Sequence, residues 1–252
     1  MTAALEVKGV SKSFGGVPVL RDVSLTVGEG EFVSLIGPSG SGKSTLFSVI
    51  GGLERPQAGS VAMNGRDVTG ERGRIAYMPQ QPSLLPWRTV AANIELALGI
   101  AGIGRKEARA LAGAWLERAG LAGYADAYPH VLSGGMAQRV SFLRALLTPR
   151  TLMCLDEPFG ALDALTRMQM QQWLLSLWES NRRAVLLVTH SIEEALLLSD
   201  RIVVLSARPA SVVRELNVPF PRPRRETLWT EPGFAELKQD IYELLRPRDG
   251  GG

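Results

Sequence analysis

Apolar and polar residues change texture in blocks along this 252-residue chain. Residues 5–7, 17–27 and 60–63 are short runs of β-forming residues. They are punctuated by Gly15 and Gly16, by Gly28 and Gly30, and by Asn64 with Gly65, the last a hairpin signal. The run 32–36 is apolar apart from Ser34, and Leu46, Phe47, Val49 and Ile50 follow with helical spacing that stops at Gly51 and Gly52. Residues 84–147 turn alanine-rich and helical. Thr89 is placed to cap a helix over 90–98, and 105–119 is amphipathic with Gly120 as its stop. From residue 152 onward, buried-type strands at 152–155, 184–189 and 202–205 alternate with helices at 165–180 and 192–198. Ser191 and Glu194 have the spacing of a capping box at the start of the second helix. Strand–helix alternation predicts a mainly parallel sheet covered on both faces, with 84–147 as a helical insertion. The whole of 1–252 reads as one domain ending in a short tail over 219–252, in which 234–245 can form one amphipathic helix. Within that tail, 219–225 and 250–252 read as linker or frayed end.

Chemistry enters where the apolar run 32–36 meets Gly37, Pro38, Ser39, Gly40, Ser41, Gly42, Lys43, Ser44 and Thr45. Strand, glycine loop and helix start arrive in the order that triphosphate binding requires. The glycines let successive backbone N–H groups turn inward around phosphate oxygens, and the helix presents its positive end to them. Lys43 can reach the β- and γ-phosphates, and the Ser44 hydroxyl can ligate Mg²⁺. A second buried strand delivers two acids, Asp156 and Glu157, to the edge where open α/β sheets bind ligands. Asp156 would hold Mg²⁺ through water, and Glu157 would polarise an attacking water as general base. A third motif, Ser133 followed by Gly134 and Gly135, opens an apolar helix and makes a second anion-binding helix terminus. It brings no catalytic residue of its own, so its use is to grip the γ-phosphate held by another copy.

Composition narrows the classes. Lys+Arg 28 against Asp+Glu 25 leaves +3, too little to argue for nucleic acid. The late arginines (Arg208, Arg214, Arg222, Arg224, Arg225, Arg246, Arg248) are expected on a solvated face. Cys154, in an apolar run, is expected in the core; a lone thiol excludes a disulfide framework and fits a reducing cytoplasm. No run approaches the ~20 apolar residues of a membrane span, and the start lacks the pattern of a signal peptide. Service at a membrane would therefore be by docking.

In order along the chain stand GPSGSGKST over 37–45, Gln80, LSGGM over 132–136, LDEP over 155–158, ALD over 161–163 and His190. With these six motifs the chain resembles the ATP-binding subunit of an ABC transporter over residues 5–205. It is similar in particular to the nitrate/sulfonate/taurine-type importers, through Leu84-Leu85-Pro86-Trp87, Met136, and the run from Asp156 to Asp163 followed by Thr166 and Arg167. The resemblance implies an α/β P-loop NTPase core, an N-terminal antiparallel β-subdomain and an inserted helical subdomain. It implies an ATPase using ATP and Mg²⁺, in which Phe14 stacks on adenine and Gln80 contacts Mg²⁺ and the lytic water. His190 would bond the γ-phosphate and Asp163 would cross a dimer seam. It further implies a second ATPase subunit (a homodimer), a membrane permease, a separate solute-binding protein, and a peripheral place on the cytoplasmic face of the membrane. Nitrate, sulfonates, taurine and pyrimidine precursors all remain open as solutes; a soluble ABC ATPase uncoupled from transport is the alternative. Three positions depart from the subfamily pattern: Ser41 where Cys is usual, Gln81 where an acid commonly follows Gln80, and Ser191 where Asp is usual. None carries a catalytic role.

Overall fold

A computed structural model describes residues 3–246. Its centre is a six-stranded sheet built from β3 (Phe32–Ile36), β6 (Ala76–Met78), β7 (Leu152–Asp156), β8 (Ala184–Val188), β9 (Arg201–Leu205) and β10 (Val212–Asn217), in the order β10-β9-β3-β8-β7-β6. All neighbours run parallel except β10, which pairs antiparallel with β9 at the edge. A second sheet, β2-β1-β4-β5, is antiparallel and comes from β1 (Ala3–Phe14), β2 (Val17–Gly28), β4 (Ala58–Met63) and β5 (Arg66–Asp67).

Strands β3, β7 and β8 are buried at every position, which is why they read as continuous apolar runs rather than alternating ones. Their side chains nevertheless sort by the two-residue pleat into two cores. Phe32, Ile36, Met153, Leu155, Val185 and Leu187 face one core, shared with α2 (Val90–Ile100), α4 (Gly134–Leu146), α5 (Ala164–Asn181) and α6 (Ile192–Leu198). Val33, Leu35, Leu152, Cys154, Leu186 and Val188 face the other, shared with the antiparallel sheet and α1 (Lys43–Ile50). Each large apolar side chain so buried contributes about 1.5–3 kcal/mol. Phe32 adds an edge-to-face contact with Trp178 at 5.4 Å between ring centroids. The consequence is positional: the three parallel strands end, firmly held, on the same edge of the sheet.

Between β6 and β7 lie α2, α3 (Arg105–Arg118) and α4, with two short 3-10 turns between α3 and α4. Helix caps fall on the residues that chemistry favours. Thr89, Ser133, Asp163 and Ser191 each accept a backbone N–H with a side-chain oxygen. The capping box at α6 closes on one side only. Ser191 accepts from the Glu194 N–H at 3.2 Å, but the Glu194 carboxylate does not return to Ser191, whose N–H goes to Thr189 Oγ1 at 3.0 Å.

The tail departs further from its sequence reading. Residues 219–225 are a packed strap, not a linker. Phe220 is buried, and Arg224, only 4% exposed, donates to the carbonyls of Leu196, Ser199, Val218 and Phe220. Arg222 pairs with Asp200 at 2.7 Å and stacks over Trp178 at 4.2 Å. These two guanidiniums are therefore part of the fold, whereas Arg208, Arg214, Arg225 and Arg246 are exposed as expected. Beyond the strap, α7 (Phe234–Leu245) buries Phe234 and Ile241 and pairs Lys238 with Glu193 of α6 at 2.6 Å. Arg248 and residues 250–252 lie outside the described residues. Among the described residues, no helix is long and apolar enough to cross a membrane.

Candidate functional site

The glycine loop leaves β3 at its C-terminal end and turns into α1. Gly42 sits at φ +111° as the helix N-cap, and a Cβ there would lie 2.9 Å from Val19 Cγ1. Only glycine satisfies both the backbone angle and that close approach. The Lys43 ammonium is nearly buried and folds back over the loop, donating to Gly37 O at 2.8 Å and Pro38 O at 2.9 Å. Burial pulls its pKa down, while Glu157 and Asp156 pull it back up. Ser44, one residue on, is exposed.

The two acids leave the end of β7 in different settings. Asp156 is buried, and its Oδ2 accepts from the Tyr77 hydroxyl at 3.1 Å. Burial pushes its carboxyl upward, with Glu157 adding to the effect and Tyr77 and Lys43 opposing it. The same burial, followed by the Asp156 charge, raises the Tyr77 phenol. Glu157 holds a left-handed φ of +43°, and its N–H donates to Val188 O at 2.9 Å, which fixes it beside the end of β8. One oxygen of Glu157 then serves two partners: Gln80 Nε2 donates to Oε2 at 3.1 Å, and His190 Nδ1 lies 3.4 Å from it. A carboxylate, an amide and an imidazole from three separate segments thus converge on one point.

Around that point opens a cavity of about 590 Å³. The glycine loop from Ser39 to Thr45, Gln80, Glu157 and His190 line it, with Phe14 and Arg208 at other walls. Phe14 is 44% exposed, and the Lys12 ammonium stands 4.9 Å from its ring centroid. Among the described residues no group of three or more His, Cys, Asp or Glu could hold a metal by itself. The oxygens present suit a hard cation that keeps waters and phosphate oxygens in its shell: the exposed Ser44 hydroxyl, the Gln80 amide, and a desolvated Asp156 carboxylate whose charge calls for a counter-ion. The set fits Mg²⁺.

The remaining expected residues lie elsewhere. Ser133 caps α4 by accepting from Met136 N at 3.3 Å, and Gly134 follows in the open. Gly135 is buried, and a Cβ on it would lie 2.6 Å from Thr166 Cγ2. Asp163 caps α5 by accepting from Thr166 N at 3.0 Å, and the hydrogen bonds from Thr166 hold its carboxyl below the usual range. Gly135 and Asp163 thus meet at Thr166, and neither they nor Ser133 and Gly134 line the cavity. Within one chain, these four residues therefore lie apart from the cavity.

Several residues that hold this arrangement escaped the sequence reading. Gln138 on α4 donates to Gln80 O at 3.0 Å, and Arg144 on the same helix donates to Ser83 O at 2.9 Å and Pro82 O at 3.2 Å. The helix that starts at Ser133 thereby fixes the loop that carries Gln80. Asn93, fully buried on α2, accepts from Leu85 N at 2.8 Å and donates to Leu85 O, Arg88 O and Thr89 O. It braces the turn on which Trp87 stands 72% exposed. Tyr77 and Arg208 complete the group. Apart from Asn93, whose partners lie within eight positions, each depends on a partner distant in the chain, and only the neighbouring motif residues could have hinted at them.

A family model described as "ABC transporter" matches residues 20–160. The formylaminopyrimidine import ATP-binding protein ThiZ of Halalkalibacterium halodurans is 48% identical over 231 residues, 90% of each chain. The aliphatic sulfonates import ATP-binding protein SsuB of a Mycobacterium species is 44% identical, over 99% of this chain and 97% of its own. Among solved structures, the ATP-binding cassette MJ0796, a dimer in a post-hydrolysis state bound to ADP and Pi, superposes with a TM-score of 0.74. It is 32% identical and covers 86% of this chain and all of its own. With a family model matched over more than half of the chain and relatives this similar over most of it, the chain belongs to the ABC transporter family as an ATP-binding, ATP-hydrolysing subunit.

Proposed function

We propose that this chain is the motor subunit of an importer for a small solute of the nitrate, sulfonate and taurine class, and that two copies close head to tail on two ATP molecules. The observation that carries the reading is the pair of separated half-sites: the cavity bearing Lys43, Gln80, Glu157 and His190, and the Ser133–Gly135 terminus with Asp163, which lies outside it. A triphosphate held in one copy's cavity would present its γ-phosphate to the other copy's Ser133 and Gly135. Phe14 would stack on adenine. The loop amides and the Lys43 ammonium would take the β- and γ-phosphates, Lys43 leaving the Gly37 and Pro38 carbonyls to do so. Ser44, Gln80 and Asp156 would hold Mg²⁺, which when bound supplies charge neutralisation for the β- and γ-phosphates.

Glu157 would accept a proton from the attacking water. Gln80 and His190, both already on its Oε2, would aim that carboxylate and bond the water and γ-phosphate. Phosphoryl transfer asks chiefly for positioning and charge neutralisation, which these groups supply without a covalent step. Product release would let the copies part. A membrane permease would dock by Trp87 and the turn around it, receiving solute from a separate binding protein, so that the chain works peripherally at the cytoplasmic face.

The test is Glu157→Gln. Removing a general base typically costs ~10²–10⁴ in rate, so turnover should nearly stop while ATP binding persists. The variant should run as a dimer with ATP and as a monomer without it on size-exclusion chromatography with light scattering. Hydrolysis at the wild-type rate would refute the base assignment, and absence of an ATP-dependent dimer would refute the two-copy site.

A further inference from the structure

Flanking His190 is a buried polar cluster that the reaction scheme leaves unused. Thr189, Gln171 and Glu194 are all buried, and Glu194 is 6% exposed. The Thr189 hydroxyl donates to Glu194 Oε2 and accepts the Ser191 N–H at 3.0 Å, so the residues on both sides of His190 are tied to one carboxylate. The other oxygen, Oε1, accepts from Gln171 Nε2 of α5 at 3.1 Å. Arg167, one turn into α5, places its Nε 4.0 Å from that same Oε1, and its Nη2 donates to Leu162 O at 3.0 Å, next to Asp163. Arg167 Nε is itself buried without a hydrogen-bond partner.

A helix cap alone would not need a buried anion, because Ser191 already supplies it and a neutral side chain costs less to desolvate. What the carboxylate adds is reach in two directions: one oxygen for the His190 turn and one for the helix that Asp163 caps. The unpaired Arg167 donor stands about 1 Å beyond hydrogen-bonding distance of the oxygen it faces. A small shift of the first turn of α5 toward α6 would pair it and recover the cost of burying it alone.

We propose that Glu194 is a positioning residue that sets His190 against Asp163, and that its contact with Arg167 shortens as the two-copy site closes. The inference rests on the roles given above to His190 and Asp163. It connects the histidine on one chain's γ-phosphate to the loop facing the partner, so that closure at Asp163 is felt at the imidazole.

The experiment uses the whole chain and three substitutions, Glu194→Gln, Arg167→Met and their combination. Glu194→Gln keeps the side-chain volume and an oxygen for the Thr189 hydroxyl, which protects folding. Misplacement of a reacting group by about 1 Å can cost ~10²-fold, so each single change should lower kcat about tenfold or more. With ATP binding spared, KM should stay within about twofold. The double variant should be no worse than the poorer single one, since both remove the same contact. The chain has only two histidines, His130 and His190, so the imidazole Cε1–H signals give a direct local reading. The His190 signal should move in Glu194→Gln while that of His130 stays. Thr189→Val should reproduce the loss and Thr189→Ser should retain activity, which keeps the test open if Arg167→Met does not fold. Losses that multiply in the double variant, or a His190 signal unmoved by Glu194→Gln, would overturn the proposal. Failure of the base assignment is read separately, from Glu157→Gln, and leaves the His190 signal informative.

Discussion

Replacing Asn93 with Leu should loosen one turn and leave the rest of the chain as it is. The side chains are similar in size, and the position is fully buried. Of the four hydrogen bonds Asn93 makes, two are backed up. Leu85 O also accepts from Arg88 N at 3.1 Å, and Thr89 O from the Asn93 backbone N–H at 2.9 Å. The uncompensated losses are the Leu85 N–H, held by Asn93 Oδ1 at 2.8 Å, and the bond to Arg88 O. A donor left unsatisfied costs about 1–3 kcal/mol, and a lost carbonyl bond about 0.5–1.5 kcal/mol. The added apolar surface returns part of this, leaving a net loss of about 2 kcal/mol. At 1.4 kcal/mol per factor of ten, amide exchange in the turn should quicken about 30-fold. Hydrogen exchange read by mass spectrometry on a peptide covering residues 82–90 measures this directly. Protection unchanged in that peptide would refute the bracing role. So would a rise of equal size in β7 and β8, which would mean that Asn93 holds the whole fold and not the turn.

Three further outcomes follow from the geometry. Gly135→Ala should destabilise by about 1–3 kcal/mol in urea unfolding, because its Cβ would lie 2.6 Å from Thr166 Cγ2; adding Thr166→Ser, which removes that methyl, should restore most of the loss. Burial holds the Glu194 carboxyl above its ordinary value of 4.5, so its contribution to stability is full below that value and is lost as pH rises through the elevated one. Glu194→Gln, which cannot ionise, should therefore gain in melting temperature relative to wild type as pH rises above 4.5, and a difference that does not change with pH would contradict it. Arg224→Met should cost about 2–4 kcal/mol by leaving buried carbonyls without a donor. At roughly 2–4 °C per kcal/mol for a chain of this size, calorimetry should show a clear drop.

Sequence alone reached those parts of the structure that are governed by neighbours in the chain. Strands β3, β7 and β8 were legible because four or five apolar or small residues in a row leave few alternatives. The starts of α2, α4, α5 and α6 lie on capping residues whose bonds span three positions. The glycine loop was legible because it works through backbone N–H groups, whose placement the glycines announce. What stayed hidden depends on contacts across long separations. Tyr77 meets Asp156, Gln138 meets the carbonyl of Gln80, and Arg144 meets the loop at Pro82, each from a residue type with no pattern of its own. Strand β10 was missed because it is an edge, paired on one side only and mostly exposed, so it carries no buried alternation. The half-formed capping box at Ser191 has the same origin: Thr189 and Gln171 outbid Ser191 for the Glu194 carboxylate.

The strap formed by residues 219–225 changes where the chain can be divided. A guanidinium can fasten several carbonyls at once because its donors lie in one rigid plane, and Arg224 uses this to join the end of α6 to the segment after β10. Asp200 extends the fastening, taking the Phe32 N–H at the entry to β3 on one oxygen and Arg222 on the other. The strand that ends in the glycine loop is thus moored at its opposite end by residues almost two hundred positions later in the chain. For anyone trimming, fusing or permuting such a cassette, the seam lies after the strap. A cut before residue 219 would strip Arg222 from the Asp200 carboxylate that holds the Phe32 N–H, and so loosen the anchorage of the strand that carries the glycine loop, though it removes no residue that lines the cavity.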